Sequence, residues 1–197
     1  MENIKKQMWC ALSLYNEDFK KLIQKFCPNG VSLLKIEDIS EFRRGSFPQP
    51  YTNNLFYGGV EEKPFVQVAD ISNNFCLNSK TKKTISKVAQ PSSVFVPKGS
   101  LIISIQGTIG RAAITQFDAY IDRTILLFYN YPKLNEKYFL YALYKLFEEK
   151  KKNARGSTLK TITKEEIKDF LIPVPPLEIQ QHIINTTTYL FLFPKYF

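Results

Sequence analysis

Thr163-Lys-Glu-Glu-Ile-Lys-Asp-Phe-Leu-Ile-Pro-Val-Pro-Pro-Leu-Glu-Ile-Gln-Gln-His-Ile183 is the stretch around which the rest of the chain is read. Thr163 and Glu166 stand at capping-box spacing, so a short helix opens there, with its first N–H groups taken up by side chains. Phe170 to Pro176 must then be extended, because proline donates no hydrogen bond and keeps its predecessor out of the α region. Pro176 suits the first turn of a further helix, from Leu177 to about Ile184. Thr186-Thr-Thr188 and the tail Tyr189-Leu-Phe-Leu-Phe193 are poor helix formers, so this last helix is expected to be cut short.

Upstream, Asn135 is a candidate cap for a helix carrying Phe139, Leu140, Leu143, Leu146 and Phe147 on one side. Its last turns, Glu148-Glu-Lys-Lys-Lys152, put cations where the helix dipole favours them. Near the start, Asn16 can cap a helix with Phe19, Leu22, Ile23 and Phe26 on one face, stopped by Pro28-Asn-Gly30. Between these helical ends, Val31 to about Phe128 changes character. Short β-type runs recur there: Phe65-Val-Gln-Val68, Ser93-Val-Phe-Val96, Leu101-Ile-Ile-Ser-Ile105, Ala112-Ala-Ile-Thr115 and Ile125-Leu-Leu-Phe128. Pro97-Lys-Gly99 and Gly107 to Gly110 are turns between three of them. The expected class is α+β, a strand-rich body with peripheral helices.

The 197 residues carry 27 Lys and Arg against 18 Asp and Glu, a net charge of +9. Such a surplus points to a polyanion, nucleic acid before an anionic membrane. The charge is unevenly placed. Ile71 to Phe117 holds Lys80, Lys82, Lys83, Lys87, Lys98 and Arg111 and no acid, and Arg43-Arg44 opens a stretch that meets none until Glu61. The same windows hold polar loops: Gly45 to Asn54, Ser72-Asn-Asn-Phe75 and Gln106-Gly-Thr108. Phosphates are held by Lys and Arg, and base edges are read by Arg, Asn, Gln, Ser and Thr, so both needs meet in one acid-free region. A solvated basic face is the plain alternative. Cys10, Cys27 and Cys76 are odd in number and in no C-x-x-C pair, which suits a reducing cytoplasm rather than a disulfide framework or zinc site. The chain shows no signal-peptide pattern, and its apolar tail is too short to cross a bilayer, so a soluble cytoplasmic protein is expected.

Catalytic patterns do not emerge. His182 is the single histidine. Val174-Pro-Pro-Leu177 lacks the polar first residue and aromatic last residue with which amino-group DNA methyltransferases hold a flipped base. Glu-x-Lys occurs at Glu61, Glu148 and Glu166, but no Pro-Asp accompanies it as the common nuclease pattern requires. No Gly-rich loop between a strand and a helix asks for a nucleotide or S-adenosylmethionine. No cofactor and no metal is expected, and the chain reads as a binder.

Gly156-Ser-Thr158, the short helix, Ile172-Pro-Val-Pro-Pro-Leu177 and the Glu178-Ile-Gln180 helix start closely resemble the end of a target recognition domain in type I restriction-modification specificity subunits. Phe26-Cys-Pro-Asn-Gly-Val31 resembles the lead into the family's first strand, Val66-Gln-Val-Ala-Asp-Ile71 its strand ending in Asp-Ile, and Ser104 to Ala113 its Gly-Thr-Ile-Gly hairpin. The resemblance implies a target recognition domain over residues 1–176, and over 177–197 a shortened helix with an aromatic tail. It implies sequence-specific reading of half of a split duplex DNA site, with methylation and cleavage supplied by a modification subunit and a restriction subunit. Where the family continues a long amphipathic helix, this sequence turns Thr-rich after Ile184, which implies a half-length or truncated polypeptide acting with a second copy or second half-subunit. Expected DNA contacts are Arg43, Arg44, Lys80, Lys82, Lys83, Lys87, Gln106, Thr108, Arg111, Arg155 and Lys160. Expected partner contacts are Leu177, Ile179, Gln180, Ile183 and Ile184. The alternatives are a non-specific nucleic-acid binder using Phe47 and Tyr51 as stacking platforms, and a protein–protein scaffold.

Overall fold

The computed structural model describes residues 15, 17–153 and 161–192. The chain divides into two compact units that interleave in sequence. One takes its described residues from before Phe42, from 130 to 153 and from Ile162 onward; the other is Phe42–Tyr129 with Thr161.

The first unit is built on helices α1 (Glu17–Phe26), α2 (Ile36–Ile39), α3 (Glu136–Lys150), α4 (Lys164–Lys168) and α5 (Leu177–Leu192), with a two-stranded antiparallel sheet of β1 (Ser32–Lys35) and β10 (Leu171–Val174). Phe19 and Ile23 of α1 are buried; Asn16, its expected cap, lies outside the described residues. Asn135 caps α3 as the sequence suggests, its Oδ1 accepting from the N–H of Lys137 and of Tyr138. All five apolar residues expected on the inner side of α3 are buried, joined by Tyr138, Tyr141 and Ala142. Thr163 and Glu166 form their reciprocal capping box.

Proline is tolerated in β10 because a two-stranded sheet has only edges. Pro173 faces Leu33, and its carbonyl accepts the hydroxyl of Tyr138 at 2.8 Å. Tyr15 donates to the carbonyl of Leu171 at 2.9 Å. Both phenols are buried with a partner, as core polar groups must be, and burial holds their pKa values well above the usual phenol value.

Helix α5 runs to Leu192 and does not stop near Ile184, which corrects the expected boundary. The Thr186 hydroxyl donates to the His182 carbonyl at 2.9 Å, and that of Thr187 to Ile183 and Ile184 at 3.0 Å. Back-bonding of this kind satisfies the hydroxyls inside the helix, which propensity alone does not anticipate.

The second unit holds two four-stranded sheets. One runs β2 (Glu41–Arg44), β9 (Ile125–Tyr129), β6 (Leu101–Ser104), β7 (Ala112–Ile114); the other runs β4 (Lys83–Ile85), β3 (Lys63–Val66), β8 (Ala119–Ile121), β5 (Val94–Val96). Val66, Val94, Val96 and Ile121 of one sheet and Ile102, Ala113, Ile125 and Leu127 of the other share one buried cluster with Ile71 and Leu77. Neighbours in the sheets pair antiparallel where the register is defined, except β3 and β8. Those two run parallel, with Phe65 opposite Tyr120 and Val66 opposite Ile121.

Candidate nucleic-acid interface

Parallel pairing of β3 and β8 delivers the segments that follow them to the same edge of the sheet. Gln67-Val-Ala69 follows β3 and Asp122-Arg-Thr124 follows β8, and both line a cleft of about 680 Å³. The turn between β6 and β7 adds Gln106, Gly107, Thr108 and Arg111. Lys82, just before β4, and Phe47 and Tyr51, from the loop after β2, complete the lining.

Two buried polar residues shape these walls. Asp70 is fully buried; Oδ2 accepts from the Gln67 N–H at 2.8 Å and Oδ1 from the Lys82 N–H at 2.8 Å. A single carboxylate therefore ties two lining segments together through charge-assisted bonds. Ser104, also fully buried, donates to the Thr108 carbonyl at 2.6 Å and accepts from the Arg111 N–H at 2.9 Å, while its backbone N–H donates to the Arg111 carbonyl at 2.8 Å. Gly107 and Gly110 have φ of 74° and 86°, the left-handed values that let the turn close without a side-chain clash. The Arg111 guanidinium is half-buried, and Nη1 donates to the Ile71 carbonyl at 2.7 Å.

Lys82, Arg111 and Arg123 face one carboxylate in the cleft, Asp122. Asp122 is itself engaged: Oδ1 accepts from the Thr124 N–H at 2.9 Å and its hydroxyl at 2.8 Å, fixing the turn after β8. At the edge of the cleft, Arg44 donates from Nε to the Arg123 carbonyl at 2.6 Å and from Nη2 to Gln106 Oε1 at 3.3 Å. The aromatic side is packed rather than open. The ring centroids of Phe47 and Tyr51 lie 4.5 Å apart, Arg123 sits 4.9 Å from the Phe47 centroid, and Lys83 sits 4.5 Å from the centroids of both Tyr51 and Tyr57. Desolvation, with Tyr51 and Asp122 close by, pushes the Tyr57 phenol up to about 12.

Of the residues expected at DNA, Lys82, Gln106, Thr108 and Arg111 come together in the cleft, with Arg44 bonded to Gln106 and Lys83 over Tyr51. Arg43, Lys80 and Lys87 are exposed but do not line it, and Lys87 is paired with Glu61 from outside the acid-free window. Arg155 and Lys160 lie outside the described residues. Gln67, Arg123 and Thr124 are lining residues that the sequence reading missed. On α5, Leu177 is 54% exposed and Ile179 half-buried, whereas Gln180, Ile183 and Ile184 are buried in the helical unit. Gln180 accepts from the Asn135 N–H at 2.7 Å and donates to the carbonyls of Lys133 at 3.0 Å and Pro175 at 2.8 Å. Gln180 thus holds the helix on its own unit, and of the expected partner contacts Leu177 is the exposed one. Among the described residues no group of His, Cys, Asp and Glu is placed to hold a metal ion, and no helix is long and apolar enough to cross a membrane.

Residues 28–191 match the family described as type I restriction modification DNA specificity domain. The chain belongs to this family. Solved structures agree on the fold of the specificity domain. A chain from a study of complex assembly and conformational transition of the type I R-M system superposes with a TM-score of 0.67 at 20% identity, covering 96% of this chain and 49% of that one. The HsdS subunit from Thermoanaerobacter tengcongensis gives 0.66 at 20% identity, covering 96% and 47%. The type I S subunit from M. genitalium gives 0.55 at 16% identity, covering 82% and 39%. The chain thus spans about half the length of the first two and less of the third.

Proposed function

We propose that this specificity domain reads one half of a split duplex DNA site, and that partner modification and restriction subunits carry out methylation and cleavage, the chain itself being non-catalytic. The observation that carries the reading is the cleft in the strand-rich unit. Three cations face a single internally bonded carboxylate there, beside two glutamines and two threonines. Cations position a duplex through its phosphates, and amides and hydroxyls discriminate base edges in the major groove. Asp70 and Ser104 hold these side chains on tethered backbone, so little ordering is left to do on binding. Reading by base stacking is disfavoured because Phe47 and Tyr51 pack against one another and each already carries a cation.

Competition between a selected duplex and random duplexes, with the modification subunit present, tests the proposal. Neutralising about five phosphates gives a log–log salt slope of about −4 to −5 for the non-specific part of binding. One sequence class should survive competition at salt that removes the rest. Equal affinity for every duplex, or preference for single strands, overturns the reading.

A further inference from the structure

Gln106 is held in the cleft through both its backbone and its side chain. Its backbone forms an isolated antiparallel bridge with Thr161, and its predecessor Ile105 donates to the Thr124 carbonyl at 2.9 Å. Its Oε1 accepts from Arg44 Nη2 at 3.3 Å, and Arg44 is itself anchored through Nε on the Arg123 carbonyl at 2.6 Å. A guanidinium has five N–H donors and no acceptor. It therefore admits one end of a glutamine amide and rejects the other: the oxygen must face Arg44, and the NH₂ group must face away from it. A free glutamine can present its oxygen and its NH₂ group together, accepting from N6 and donating to N7, which is how the amide pairs with adenine in a bidentate fashion. This one is denied that choice.

We propose that Gln106 determines one base of the recognised site as a hydrogen-bond donor, with Arg44 as the positioning residue that sets its polarity. The proposal rests on the cleft being the DNA-reading surface and adds the chemistry read at one position. In the major groove guanine offers two acceptors, N7 and O6, thymine offers O4, and adenine offers N7 beside its N6 donor; cytosine offers only the N4 amine, a donor that would meet the donating NH₂ group. Gln106 thus favours the bases that offer an acceptor, G with its two above all, and rejects C. Arg44, although part of the basic window, is a selectivity device rather than a phosphate clamp. The bond between two partly exposed side chains is shared with water in the free protein and strengthens when duplex DNA excludes that water.

The test is selection from a duplex library with randomised positions, using the full chain with the modification subunit, followed by the same selection with variants. The wild type should show one position where G or T exceeds C by about tenfold or more, the range a good side-chain–base contact supplies. Gln106→Glu keeps the Arg44 pairing but offers only acceptors, so preference at that position should move to C or A while the other positions hold. Gln106→Leu, which removes the donor, should flatten that position alone. Arg44→Met frees the amide oxygen to accept beside the donating NH₂ group and should raise A, the bidentate partner, at the same position. Thermal melts within a few degrees of wild type confirm that each variant is folded, and Gln106→Leu still decides the matter if Gln106→Glu is not. A wild-type selection with no preferred sequence sinks the DNA-reading proposal itself. A selective wild type whose preferences are unchanged in both Gln106 variants overturns this inference alone, as does a uniform affinity loss in Arg44→Met with every base preference intact.

Discussion

Asp70→Asn tests whether the cleft is held from beneath. The side chain is fully buried and accepts one N–H on each oxygen, from Gln67 and from Lys82, both at 2.8 Å. Asparagine has the same shape but only one acceptor; its NH₂ group must face one of those two N–H groups, leaving donors opposed. One charge-assisted bond, ordinarily about 1.5–3 kcal/mol, is lost outright, and the other weakens to a neutral one. The stranded N–H adds a desolvation cost of about 1–3 kcal/mol, offset in part because a buried charge is removed as well. The net expectation is a loss of about 2–4 kcal/mol, read by urea unfolding followed by circular dichroism. The effect should not stop at stability. Gln67 and Lys82 sit on either side of the lost tether, so DNA affinity measured well below the unfolding transition should fall about tenfold. Asp118→Asn supplies the matched control: Oδ1 accepts the Lys98 N–H at 2.8 Å, but the residue is exposed, water can replace it, and the change should stay within about 0.5 kcal/mol. If Asp70→Asn unfolds within 1 kcal/mol of wild type, or loses stability with unaltered DNA affinity, the tether is not what shapes the cleft.

Other substitutions probe the remaining supports. A Cβ on Gly45 would lie 2.2 Å from the Asp122 carbonyl oxygen and 2.6 Å from that of Ile121, so Gly45→Ala must displace backbone and should cost about 2–3 kcal/mol in the same assay. Gly59→Ala meets nothing within 4 Å and bears only the strain of its φ of +96°, about 1–2 kcal/mol, so a larger loss there than at Gly45 contradicts the steric account. Gln180→Leu leaves the Asn135 N–H and the carbonyls of Lys133 and Pro175 without their shared partner; a thermal melt should show at least about 3 kcal/mol of destabilisation. Lys87→Ala removes an exposed pair with Glu61 outside the cleft, so stability should change by about 0.5 kcal/mol or less and base preference not at all.

Local signals were legible and long-range ones were not. The Asn135 cap, the Thr163–Glu166 capping box and the proline-rich β10 each follow from residues a few positions apart, and each stands where the sequence puts it. β4 and β8 are three residues long, too short for alternation to show, and β4 lies inside a run of lysines. The parallel pairing of β3 with β8 has no local signature at all, yet it is what brings Gln67 beside the segment of Arg123 and Thr124. Three cleft residues were missed for that reason, while Lys82, Gln106, Thr108 and Arg111 were found because the acid-free window marks them by composition. Charge counting could not tell that Lys87 would meet Glu61, or that Arg44 would turn to Gln106, because both pairings are set by the fold.

The chain leaves the helical unit after Glu41 and re-enters it at Asn130, and the Asn130 side chain donates to Glu41 Oε1 at 2.6 Å. Everything between is therefore a long excursion pinched shut at its base. The entropy of closing such an excursion grows only with the logarithm of its length, about 0.6 kcal/mol for each doubling. The helical frame is thus nearly indifferent to how many residues the excursion contains, so loops around the cleft can lengthen, shorten or be replaced wholesale while the frame keeps its own stability.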